Sequence, residues 1–450
     1  MNSSEKEPSL ARRLGPFDAT MIVMGGIIGA GIFVNPSVVA RQVHTPFLVL
    51  AAWLIGGLIA LIGAFVYAEL AVLRPRTGGQ YAYLRDAYHP VVAFLYGWTL
   101  LLVVQTGGMA GAAIIFGRYF RELSGLAIPE QIVAAATLGI LTLINCLGIR
   151  AGSNVQSALM LIKLAAIGLL IGVGWLVVGP VNLTTSSLMP ATSEGSALTG
   201  LAAAMVPVLF AYGGWQTATF VSGEMRNPRR DLPRGLFVGV AGVIAVYLLV
   251  TYVCLRALGV TGLAGTTTPA SEVMRQAFGA RGARIIACGI AVSTVGFLSQ
   301  SILTAPRVYY AMARDGVFFK AVGYLNPRTR VPVVAIVLQG VWAVIVAMTG
   351  RYEQILNYVV TIDVLFFGLT GASLLVFRAR ARRAGTEESE GKIVRVPWHP
   401  LTTSLFVLAC WGVAISTLVR FPQNAGIGVV ILGIGALVYR FWAKPRPSPS

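Results

Sequence analysis

Twelve stretches of this chain are each apolar for long enough to cross a hydrocarbon layer of roughly 30 Å, which takes about 20 helical residues. They fall near 19–40, 46–68, 90–117, 131–149, 153–178, 195–223, 235–255, 285–306, 331–350, 354–377, 400–419 and 421–439. Nothing else in the sequence constrains the fold as strongly. In lipid every backbone N–H and C=O must be satisfied within the protein, so only helices and closed barrels span. These runs are continuous and do not alternate, which excludes a barrel. The expected fold class is therefore an all-α polytopic membrane protein with 12 transmembrane helices.

Composition excludes the main alternatives. Hydrophobic residues make up 56% and charged residues 12%, the latter about half the share usual in soluble domains. An ordinary soluble enzyme, a disordered chain and a secreted disulfide scaffold are all excluded. Cys146, Cys254, Cys288 and Cys410 lie singly in apolar runs without a CxxC or Cys/His spacing. Neither structural zinc nor a disulfide frame is supported. There is no GxxxxGK[ST] for an ATP motor, no HExxH and no TVGYG filter. No cofactor or metal is expected.

The net charge of +18 would suggest nucleic acid in a soluble protein. Here the charges sit between apolar runs, so orientation in a bilayer is the better reading and no nucleic-acid partner is expected. With a cytoplasmic N-terminus, roughly three-quarters of the 35 Lys and Arg fall on the inner side, as the positive-inside rule requires. The exception is the outer segment Arg256–Arg284, where Ser271–Phe278 reads as a capped helix on the outer surface. The polar first sixteen residues precede an apolar run with no small-residue cleavage site, which reads as a retained helix. Arg378, Arg380, Arg382 and Arg383, followed by Glu387, Glu388 and Glu390, mark 378–399 as a cytoplasmic loop. The expectation is a multi-pass protein of the cell inner (plasma) membrane, with both termini cytoplasmic.

Two spans are interrupted. The first contains Gly25-Gly26-Ile27-Ile28-Gly29-Ala30-Gly31-Ile32-Phe33 with Pro36 beyond; the sixth contains Pro207 and then Phe210-Ala211-Tyr212-Gly213-Gly214-Trp215. Gly costs a helix about 1 kcal/mol relative to Ala, and Pro about 3. Such clusters at mid-membrane depth predict that the helix opens, which is tolerated only where the backbone lines a cavity. The N–H groups starting the second half can hold a carboxylate, and the carbonyls ending the first half can hold an ammonium. An α-amino acid carries both. The bland alternative is that the glycines only allow close helix contact.

Two ionisable residues lie deep within spans. Lys163, ten residues into the fifth, sits near the midplane at about 1.5 Å per residue. Three roles are open to it: a fixed internal cation, a proton carrier, or a lipid-edge contact. Asp363 in the tenth is a pocket-lining acceptor, a proton site, or a neutral carboxyl bonded to a neighbouring helix. Glu69 and Glu224 end the second and sixth spans within reach of Arg, as inner latches or as plain surface pairs. Phe210, Tyr212 and Trp215 flank the second break, and Phe210 is the candidate gate or a packing ring. His44, His89 and His399 are at span edges, which argues against a mid-membrane His relay.

At these residues the sequence resembles the amino acid–polyamine–organocation superfamily, and within it a bacterial member of the L-amino acid transporter family. Gly26 to Phe33, Phe210 to Trp215, and Glu224-Met225 leading to Asn227-Pro228 and Leu232-Pro233 carry the resemblance. It implies a five-plus-five inverted-repeat fold of the LeuT type, with helices 1 and 6 broken, plus two C-terminal helices. The expected division is a tail 1–16, first repeat 17–178, second repeat 195–377, loop 378–399, two further helices 400–442 and a tail 443–450. By the resemblance, Ile27, Ile28, Gly29, Ala30, Gly31, Phe210, Ala211, Tyr212, Gly213 and Gln216 bind substrate. The backbone of Gly29, Ala30 and Gly31 would take the carboxylate; carbonyls of Ile27, Phe210, Ala211 and Tyr212 would take the ammonium; Phe210 would gate. Lys163 matches the family's fifth-helix lysine, with Ser293 as partner on the eighth helix, and implies transport independent of sodium.

Ala30 stands where many relatives have Ser, Gln216 where an Asn is frequent, and Asp363 where relatives tend to be neutral near the distal pocket. Arg118–Glu130 has no Cys, so the disulfide-tethered heavy chain of animal members is not expected. The implied function is a sodium-independent exchanger of small or medium neutral L-amino acids that works by alternating access. Proton-coupled uptake through Lys163 or Asp363, a cationic amino acid or polyamine substrate, and a non-transporting receptor are the rivals. An enzyme is not expected, because no nucleophile–base or metal constellation is visible.

Overall fold

Proline opens many of the helices, at the position where its missing N–H costs nothing. The computed structural model describes residues 14–74, 78–147, 153–179, 197–222, 225–327, 331–385 and 394–442. They form α1 (Pro16–Ile27), α2 (Asn35–Val43), α3 (Pro46–Leu73), α4 (Gln80–Ala87), α5 (Pro90–Thr99), α6 (Gln105–Ser124), α7 (Glu130–Cys146), α8 (Ser153–Leu176), α9 (Ala197–Tyr212), α10 (Thr217–Phe220), α11 (Pro228–Gly265), α12 (Pro269–Thr304), α13 (Pro306–Arg314), α14 (Val333–Thr349), α15 (Tyr352–Arg383), α16 (Leu401–Arg420) and α17 (Pro422–Trp442). Pro stands in the first turn of α1, α3, α5 and α11. Thr45 completes the start of α3 by accepting from Leu48 N at 3.3 Å.

The architecture is all-helical among the described residues, apart from a single bridge between Leu14 and Met225. By length and composition, 8 helical stretches are apolar enough to cross a membrane. Shorter apolar helices lie at Pro16–Ile27, Glu130–Cys146, Met160–Leu176 and Val333–Thr349. The outer helix expected over Ser271–Phe278 is the first part of α12, which kinks at Phe278 and Gly279.

The centre of the bundle is built from α1, α3, α9 and α11, with α12 against α8 and α6, and α15 against α16 and α6. Apolar burial drives little helix association in lipid, so close approach and interhelical hydrogen bonds matter more. Gly56 and Gly57 of α3 face Val208 and Tyr212 of α9 and Ile244 of α11, where a Cβ would meet atoms at 2.3 and 3.0 Å. A π-helical segment at Leu100–Val104 joins α5 to α6. Its loosened carbonyls are covered by the Thr106 hydroxyl, which donates to Leu101 O at 2.8 Å, and by the Trp342 indole, which donates to Leu102 O at 2.8 Å. Such segments often mark functional positions, and this one precedes Gln105 on the cavity wall.

Candidate functional site

Both interruptions expected from Gly and Pro are present and lie against each other. The first separates α1 from a 3-10 turn at Gly31–Phe33 and then α2. Gly29 N turns back to Ile27 O at 2.8 Å. The first N–H groups of the short turn have no partner within it. The second separates α9 from α10. Gly213 N returns to Leu209 O at 2.8 Å, and Gly214 takes φ 110°, a left-handed backbone. Gln216 holds this turn from within, because its Oε1 accepts from Gly214 N at 2.9 Å. A Cβ on Gly214 would lie 2.1 Å from Gly26 O, and one on Gly26 would lie 2.7 Å from Gly214 O. The two broken helices thus meet backbone to backbone, an approach that only glycine permits.

One residue that sequence reasoning missed ties the breaks together. The Tyr247 hydroxyl, on α11, lies 2.9 Å from Ile27 O and 3.1 Å from Ala211 O. It is fully buried, with its ring against Trp53 and Tyr212. A tyrosine in an apolar span carries no sequence mark that distinguishes a bridge from a packing ring.

The breaks open on a cavity of about 80 Å³. Among the expected residues, Ile27, Gly29, Ala30, Gly31, Phe210, Ala211, Gly213, Gln216 and Asp363 line it; Ile28 and Tyr212 do not. Gln105 and Gly108 of α6, Phe297, Gln300, Ser301 and Thr304 of α12, and Val359 of α15 complete the wall. Gln105 and Gln300 are amides inside apolar runs, a signal that composition could have offered. Trp215 turns away from the cavity and packs on Tyr67 and Phe367.

Lys163 is 3% exposed, and its ammonium donates to the Ile28 carbonyl at the first break. A buried ammonium requires such an acceptor, and an opened helix supplies one. Ser293 is not joined to it: the Ser293 hydroxyl is buried without a hydrogen-bond partner. Asp363 reaches the cavity from α15, with its Oδ2 3.8 Å from the point where a Gly213 Cβ would sit.

On the α2 side of the cavity, buried polar bonds close the bundle. Asn35 donates to Pro207 O at 2.8 Å and accepts from the Tyr352 hydroxyl at 2.8 Å. The Tyr119 hydroxyl donates to Phe33 O at 3.0 Å. Phe210 lies edge-on to Tyr352, with centroids 6.2 Å apart. On the α1 side, Gln300 donates to Ile22 O at 3.0 Å. Farther out, Glu69 receives both arms of Arg378, at 2.7 and 2.8 Å, and Val396 N at 2.6 Å. Glu224 lies outside the described residues. The four Cys are free thiols, and no cluster of potential metal ligands occurs among the described residues.

Comparison with known proteins accords with this geometry. A family model for amino acid permeases matches residues 14–437. The serine/threonine exchanger SteT of Bacillus subtilis (strain 168) is 28% identical over 98% of this chain and 99% of its own length. The human b(0,+)-type amino acid transporter 1 is 31% identical over 83% of this chain and 77% of its own. The human large neutral amino acids transporter small subunit 2 is 29% identical over 96% and 80%.

Proposed function

Because the chain belongs to the amino acid permease family of the amino acid–polyamine–organocation superfamily, we propose that it is a sodium-independent exchanger of small or medium neutral L-amino acids. It is a multi-pass membrane transporter, not an enzyme. The observation that carries the reading is the cavity between the two broken helices, whose opened backbone at Gly29, Ala30 and Gly31 and at Phe210, Ala211 and Gly213 lines its wall. On this reading the backbone around Gly29, Ala30 and Gly31 receives the carboxylate, through the N–H groups of Ala30 and Gly31, and the carbonyls of Ile27, Phe210 and Ala211 are nearest the ammonium, with Tyr212 off the cavity wall. Ile28 contributes by holding Lys163, and Phe210 is the gating ring.

The fixed cation supports independence from sodium. An ammonium already on the Ile28 carbonyl satisfies by itself the negative end of an opened helix. An empty carrier holding that charge crosses slowly, so exchange dominates over net flux. The chain is read as twelve spans: repeats 17–178 and 195–377 in inverted relation, loop 378–399, and two further helices in 400–442. The location of one break in the first helix of each repeat supports this. Both termini are cytoplasmic in the plasma membrane, and no disulfide-linked heavy chain is required.

The test is uptake of labelled amino acids into proteoliposomes in sodium-free buffer, with and without unlabelled amino acid inside. Strong stimulation from inside is expected; equal uptake into empty vesicles refutes exchange. Asp363 on the cavity wall favours one second reading, a cationic amino acid or polyamine substrate, which competition by lysine and putrescine decides.

A further inference from the structure

One side of the cavity gathers negative charge that Lys163 offsets only at the end of α1. α1 ends at Ile27 and α9 ends at Tyr212. Each helix C-terminus carries about half an elementary negative charge. Asp363 adds a carboxylate. No hydrogen bond or ion pair reaches Asp363 among the described residues. Lys163, the nearby candidate cation, is committed to Ile28 O. The phenols of Tyr67 and Tyr96 stand near Asp363, and neither is hydrogen-bonded to it.

The carbonyls expected to hold a substrate ammonium are also partly engaged. The single Tyr247 hydroxyl proton is shared between those of Ile27 and Ala211, and Gly29 N also donates to Ile27 O. The Phe210 carbonyl remains, with only a 3.3 Å contact from Gly213 N. Three oxygens converge beside Gly213: from the point where a Cβ would stand, Phe210 O is 3.3 Å away, Leu209 O 3.4 Å and Asp363 Oδ2 3.8 Å. An ammonium has three donors and no acceptor, and a site between a carbonyl and a carboxylate matches it.

We propose that Asp363 is the counter-ion of the substrate's α-ammonium group, which it holds together with the Phe210 carbonyl beside Gly213. The inference rests on reading the cavity as the amino acid site. An unpaired carboxylate in a membrane interior is costly, and the substrate supplies the missing cation. Every α-amino acid carries this ammonium, so the pairing is compatible with neutral side chains.

The test compares L-alanine with L-lactate, which replaces the ammonium by a hydroxyl and keeps the carboxylate and methyl. Each competes against labelled amino acid exchange in proteoliposomes of the full chain. A charge-assisted hydrogen bond predicts that wild type favours alanine by about ten- to a hundredfold. Asp363→Asn should narrow that ratio to within a few-fold by weakening alanine alone, and Asp363→Glu should restore part of it. Lactate competing within threefold of alanine in wild type overturns the proposal, whether or not the variants fold. So does an unchanged ratio in Asp363→Asn. Loss of lysine competition with alanine competition intact would mean that Asp363 meets a side chain, which also overturns it. Absence of exchange of any amino acid by wild type sinks the transport reading itself.

Discussion

Replacing Tyr247 by Phe removes one oxygen and leaves the ring, so it isolates the bridge between the two breaks. The hydroxyl contacts Ile27 O and Ala211 O at 2.9 and 3.1 Å. A neutral hydrogen bond contributes a net of about 0.5–1.5 kcal/mol. The single hydroxyl proton is shared between the two carbonyls, so its loss amounts to about 0.5–1.5 kcal/mol, and the carbonyls must then find water or substrate in a confined space. The ring keeps its edge contact with Trp53 at 5.4 Å and its tilted contact with Tyr212 at 5.1 Å, so folding should survive. Because the bridge ties α1 to α9, its loss should fall on the transport cycle. The expected result is a decrease in exchange rate of roughly 2- to 12-fold, since 1.4 kcal/mol is about a factor of ten. Homo-exchange in proteoliposomes, with melting temperature in detergent as a folding control, measures it. Wild-type exchange kinetics in a well-folded Tyr247→Phe would refute the idea that the hydroxyl couples the half-helices.

Three further perturbations probe other contacts. Lys163→Ala should cut exchange strongly while the protein is still produced and inserted, because the Ile28 carbonyl loses its ammonium; wild-type rates would remove the internal cation from the mechanism. Phe210→Ala should impair flux far more than Phe441→Ala, since Phe210 lines the cavity and Phe441 is 87% exposed; equal effects would end the gate assignment. Arg378→Ala leaves Glu69 buried with only Val396 N and should destabilise the fold by about 3–5 kcal/mol, read as a lowered melting temperature.

The amino-acid sequence by itself determined the class of fold. Long uninterrupted apolar runs admit only helices in lipid, and the charges between them bias the orientation. It also marked the places where helices open, because Gly and Pro weaken a helix wherever it packs. The residues around Gly29 and Gly213 were legible for that reason, and so was the family resemblance they carry. Asp363 and Lys163 stood out because a charge is rare in a span.

Partnership across the bundle was decided only by tertiary structure. Asn35 and Tyr352 bond although 317 residues separate them, and no local pattern connects them. Tyr247 reads as one more aromatic in an apolar run until its rotation about α11 aims the hydroxyl at two freed carbonyls. Ser293 was a reasonable choice of partner for Lys163, yet the ammonium meets Ile28 O and leaves that hydroxyl unpaired. A helical sequence states which residues share a face. Which face turns toward which opened backbone depends on how closely the glycines let neighbouring helices approach, and that is settled only when the whole bundle assembles.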